Sequence, residues 1–222
     1  MHEPTTAQSA NETAVEANSR LTAGAGALLF VLLAAEGVTI LQVRGLLSAH
    51  VFIGMLLIPP VIVKLGSTGW RFARYYSGTP AYVQKGAPPP LLRLLGPAVV
   101  VLTIAVLASG VALVLTPESV HGTLLQIHKA SFVLWLAVTA VHVLGHLLET
   151  ARLAPADWLR RSRRQIGGAG TRQWLLVGSL VAGAVLGAVM LGPAAKYRPQ
   201  HLFHEGAPAP VARTAPGVLS ET

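Results

Sequence analysis

The chain has no cysteine, and only 12% of its 222 residues are charged, about half the share usual in a soluble domain. Without cysteine it cannot form disulfides, thiolate zinc sites, iron–sulfur clusters or c-type haem attachments, nor use a thiol nucleophile. That absence carries no information about compartment. Acidic residues are the scarcer sign, nine against 17 Lys and Arg, for a formal charge of +8. No phosphate-binding glycine loop, dinucleotide fingerprint, HExxH or convincing catalytic triad occurs. Hydrophobic residues make up 52% of the chain and fall in long runs between clustered charges. Together these features exclude a disordered chain, a disulfide scaffold and an ordinary soluble enzyme.

A spanning helix needs about 20 mostly apolar residues, at ~1.5 Å of rise each across a ~30 Å core. Five windows meet that length, at about 21–43, 46–65, 94–115, 124–148 and 174–191. The fold class expected is therefore all-α, an integral membrane bundle of five transmembrane helices within residues 21–192. Residues 1–20 are polar and read as a flexible tail, and 193–222, with five prolines, as another. Pro59 and Pro60 lie inside the second window and should kink it. Gly183 and Gly187, four apart in the fifth window, match a close-packing motif that also arises by chance in glycine-rich membrane chains.

Lys and Arg are unevenly shared among the connections. The second holds Arg71, Arg74, Lys85 and Arg93, and the fourth holds Arg152, Arg160, Arg161, Arg163, Arg164 and Arg172. The first has only Arg44, and the third has Glu118 and His121 without Lys or Arg. The positive-inside rule puts the second and fourth connections in the cytoplasm, with the N-terminus, and the C-terminus outside. Trp70, Tyr75, Tyr76, Trp158 and Trp174 fall near the same ends, where aromatic belts form. The basic loops then read as topology determinants touching anionic headgroups, and the expected partner is the lipid bilayer, not nucleic acid.

Ionisable residues inside a membrane are costly and are functional candidates by default. The second and fourth windows run in the same direction, with His50 and His128 each about four residues, or roughly 6 Å, below the same end. Two imidazoles at one depth on neighbouring helices can grip one iron from opposite sides. His142 follows His128 by 14 residues, close to four turns, so both share a face roughly 21 Å apart. His146 lies on the same stripe. Glu36, about seven residues below the end of the first window, reads as a proton carrier or quinone contact, or as a protonated group bonded across helices. For any single histidine, a bond to a carbonyl or hydroxyl is the plainer explanation. His121 reads as a solvent-exposed residue of the third connection, and His201 and His204 as tail residues with weak metal affinity.

The run SAHVFIGMLLIPP followed by HKASFVLWLAVTAVHVLGH resembles the bacterial cytochrome b561-like group and ferric-reductase-type transmembrane domains. The resemblance covers roughly residues 25 to 192. It implies a b-type cytochrome of the bacterial inner membrane with His50 and His128 on an outer haem b, and His142 as half of an inner pair. The expected function is electron transfer between the quinone pool and a periplasmic or extracellular partner, as the electron-transfer subunit of an oxidoreductase. The chain has no nucleotide domain, so a separate redox subunit is expected. The two-haem pattern asks for a histidine 14 residues after His50, and that position is Lys64. Three arrangements stay open there: one haem only, a second haem with an unusual ligand, or an inner site completed by a partner subunit. Lys64 can instead neutralise a haem propionate or a headgroup phosphate. The alternative function is a haem-free transporter or complex anchor, with Glu36, Lys64, His142 and His146 as a proton or ion path.

Overall fold

The computed structural model describes residues 6–86, 89–159, 162 and 165–195. Six α-helices occur among them: α1 (Thr6–Leu41), α2 (Val43–Tyr76), α3 (Pro80–Lys85), α4 (Pro90–Leu115), α5 (His121–Leu153) and α6 (Ala169–Ala194). All but the short α3 are long and apolar enough to cross a membrane. No strand occurs among the described residues. A helix satisfies its own backbone polar groups, which an open strand in lipid cannot do. Large apolar side chains such as Val101, Leu144, Leu148 and Val185 stay exposed on the bundle surface, as a lipid-facing wall requires.

The helices outrun the apolar windows. Residues 6–20, expected as a tail, continue α1 toward the N-terminus. Val15 packs with Ala81 and Tyr82 of α3, and Ser19 and Arg20 are buried. His121, expected in a connection, is the first residue of α5. Pro90 opens α4, where a missing N–H costs nothing. Residues 1–5, the arginines at 160, 161, 163 and 164, and the tail from 196 onward, with His201 and His204, lie outside the described residues.

α1 and α2 form a hairpin broken only at Gln42. Leu46 is the non-helical position inside α2, at φ −111° and ψ 21°. Pro59 and Pro60 sit instead in continuous helix, and Pro60 is wholly buried. A separate distortion lies three to four turns earlier, beside the hairpin.

α2 packs closely along α1 and α6, and α4 along α5; the contact of α2 with α4 is sparser. Gly183 and Gly187 set the α2–α6 approach. A methyl at Gly183 would overlap the Leu56 carbonyl, and one at Gly187 would come within 2.8 Å of the Phe52 ring. The small-residue pair thus lets two backbones meet, the driving contact for helices in lipid. A further cluster of Met55, Val114 and Ala194, with Val51, Ile58, Val111, Leu186 and Met190 around it, joins α2, α4 and α6.

At the opposite, arginine-rich end, Asp157 anchors three segments. Its carboxylate takes two hydrogen bonds from Arg172, at 2.5 and 2.6 Å, and lies 3.6 Å from Arg20. Arg20 also holds Glu16 at 3.1 Å and donates to the Ser162 carbonyl at 2.9 Å. All three of Asp157, Arg172 and Arg20 are buried.

Candidate functional site

Glu36 near the end of α1 and His50 near the start of α2 flank the Gln42 break, so the hairpin folds them together. His50 Nδ1 lies 2.8 Å from Glu36 Oε1 and 3.1 Å from Thr39 Oγ1. Thr39 donates back to the Glu36 carbonyl at 2.7 Å, and its hydroxyl is 3.2 Å from Glu36 Oε2. Glu36 and Thr39 are both buried. A neutral His50 that donates Nδ1–H to this carboxylate would keep its lone pair on Nε2.

His128 reaches the same place from α5. Its Nδ1 lies 3.1 Å from the Val106 carbonyl and 3.0 Å from Ser109 Oγ, both on α4. A carbonyl only accepts, so Nδ1 again carries the proton and Nε2 is the free nitrogen. Ser109 is itself fixed by bonds to the Ala105 and Val106 carbonyls. A methyl at Gly110 would stand 3.1 Å from His128 Cε1, so a glycine there leaves the ring its room.

The two rings face each other edge to face, with centroids 6.3 Å apart and planes at 79°. The structure therefore brings His50, His128 and Glu36 into one constellation across α1, α2, α4 and α5.

The second level of α5 is built differently. The His142 and His146 rings are 4.9 Å apart, and His146 Nδ1 lies 3.5 Å from Glu149. His142 Nδ1 and Thr139 Oγ1 are buried without a hydrogen-bond partner among the described residues. Lys64 turns its ammonium to α1, donating to the Thr22 carbonyl at 2.8 Å. No second facing pair of histidines forms at this level among the described residues, and no group of three or more metal-ligating side chains occurs among them.

No family model, curated protein or solved structure matches this chain. The site therefore has to be read from its own chemistry.

Sequence reasoning placed Glu36 near the histidines but missed its direct bond to His50, and missed the roles of Thr39, Ser109 and Val106. The signal for Thr39 was present, since a hydroxyl residue three positions after a buried glutamate shares its face. The carbonyl of Val106 leaves no mark in a sequence.

Proposed function

We propose that the chain is a membrane b-type cytochrome in which His50 and His128 are the two axial ligands of one haem b. The observation that carries this reading is the facing pair, with each Nδ1 committed to a protein partner and each Nε2 free. The spacing is close to what the group needs: metal–nitrogen bonds of about 2.0–2.1 Å, plus about 1.2 Å from nitrogen to ring centre, would put two ligating rings about 6.4–6.6 Å apart. The observed centroids are 6.3 Å apart.

Haem b held there supplies reversible one-electron chemistry. The chain's own residues determine how. Glu36 accepts from His50 and raises the basicity of its free nitrogen, while the Val106 carbonyl and Ser109 hold His128 in its tautomer and rotamer. Two imidazole ligands leave no open position, which suits electron transfer rather than oxygen binding. Lys64 is engaged with Thr22, which supports one haem rather than two.

The electron donor or acceptor on one side is the quinone pool, and on the other a separate periplasmic or extracellular subunit. The placement in a bacterial inner membrane, with the N-terminus cytoplasmic and the C-terminus outside, rests on the distribution of Lys and Arg.

The test is the reduced-minus-oxidised spectrum and pyridine haemochrome of the full chain, purified in mild detergent from a haem-replete host. One haem b per chain is expected, and none in His50→Ala or in His128→Ala that still elute as the folded species. A colourless wild-type protein overturns the reading. It would favour a haem-free ion path, to which the unpartnered His142 Nδ1 beside His146 lends support. Transport lost in Glu36→Gln and His142→Ala would then identify that path.

A further inference from the structure

Two lysines from different helices end on one short stretch of α1. Lys64 of α2 donates to the Thr22 carbonyl at 2.8 Å, and Lys85, the last residue of α3, donates to Ser19 Oγ. Positions 19 and 22 are about 4.5 Å apart along the helix axis. One turn beyond, a methyl at Gly26 would stand 3.1 Å from Lys64 Nζ and 3.9 Å from Thr150 Cγ2. The Lys64 ammonium therefore lies in the groove between α1 and α5, next to the Glu149–Thr150 turn.

Arg71 and Glu149 lie within electrostatic reach of both lysines. The charges do not balance. Both lysines bond to neutral oxygens, and among the described residues neither they nor Arg71 form an ion pair. Glu16 is occupied by Arg20 at 3.1 Å, and Glu149 is shared with His146 at 3.5 Å. Three cations thus share Glu149 and, at Lys85, Glu16, and both carboxylates already have partners. Burial and then the Arg71 guanidinium push the Lys85 ammonium below its usual range, as expected where positive charge lacks a counter-ion.

The surroundings decide which anion completes the cluster. Lys64 belongs to a helix apolar enough to span a membrane, and exposed Trp70 and Phe72 flank Arg71 along α2, as exposed Leu148 precedes Glu149 along α5. An anion with an apolar tail fits such a place, and a freely soluble one gains nothing from it.

We infer that Lys64, Arg71 and Lys85 form a binding site for the phosphate of an anionic phospholipid, whose acyl chains lie along the exposed faces of α2 and α5. The site stands on these contacts alone and is independent of what the His50–His128 pair holds.

Native mass spectrometry of the full chain in detergent, with added phosphatidylglycerol or phosphatidylcholine, tests it. Phosphatidylglycerol is expected to stay bound where phosphatidylcholine leaves. Lys85→Gln should weaken it about fivefold, the equivalent of about 1 kcal/mol for one cation at a membrane surface. Lys64→Gln combined with Lys85→Gln should weaken it about 25-fold if the two act independently. Glu149→Gln should tighten binding, a gain that a merely structural role would not produce. Lys85 is exposed, so Lys85→Gln keeps the test informative where the Lys64 variant fails to fold. Unchanged phosphatidylglycerol affinity in folded Lys85→Gln overturns the site, as does equal retention of phosphatidylcholine. Displacement of the lipid by equimolar inorganic phosphate would make this a soluble-anion site and overturn the lipid assignment.

Discussion

Helix α5 presents histidines at two levels, and the two levels are finished in opposite ways. At the first, His128 meets His50 of α2, and each ring is fixed from behind by a carboxylate or a carbonyl. At the second, His142 and His146 meet only each other and Glu149, while α2 supplies Lys64 in place of a histidine and sends it to α1. The same two helices bring two imidazoles together at one depth and form an electrostatic cluster at the other. The difference comes from one position on α2. A metal site needs convergent lone pairs as well as titratable residues, and convergence requires that something else hold the other ring nitrogen.

The first way to break this comparison is to remove either imidazole of the facing pair, which should abolish the pigment outright. Next in size is Asp157→Ala. It leaves Arg172 buried without its carboxylate, while Arg20 keeps Glu16, and breaking such a buried pair costs about 3–5 kcal/mol. Thermal denaturation in detergent should show a correspondingly lower midpoint, while the chains that remain folded keep the same pigment ratio. Equal stability of Asp157→Ala and wild type would show that the basic end does not depend on this hub.

Smaller effects separate the two supports behind the facing rings. Glu36→Gln keeps the shape but removes the negative charge behind His50, and loss of such a partner lowers metal affinity by about 10–100-fold. Ser109→Ala should cost much less, because His128 keeps the Val106 carbonyl at 3.1 Å. Haem retention against an apo-haem acceptor measures both. A larger loss from Ser109→Ala than from Glu36→Gln would reverse the assigned roles.

Much of this was legible before any coordinates. Apolar length is written directly in the residues, so all five spans could be found, and constant helical rise put His50 and His128 at one depth. Their second partners were harder to see. Glu36 meets His50 because the chain reverses between Gln42 and Leu46, and Gly45 there is one of 22 glycines and singles out no turn. The polar residues 6–20 looked like a tail because composition cannot show that Val15, Ser19 and Arg20 have α3 and Asp157 to pack against. Asp157 drew no notice in the sequence for the same reason. Its value lies in Arg20 and Arg172, 137 positions upstream and 15 downstream respectively.

The smallest expected effect is the sharpest test of the contrast between levels. His142 shares the face of His128, and its buried Nδ1 has no partner among the described residues. It therefore loses little on replacement, because no hydrogen bond is broken and one unsatisfied polar atom is removed. If the two levels differ as described, His142→Ala keeps one haem per chain, an unchanged reduced spectrum and a melting point close to wild type. A variant that loses half its pigment would instead mean that both levels carry haem and that Lys64 does not stand in the way. The outcome rests on the geometry behind the rings. A ring with its second nitrogen anchored is held ready for a metal, and one with that nitrogen idle is free to turn away from it.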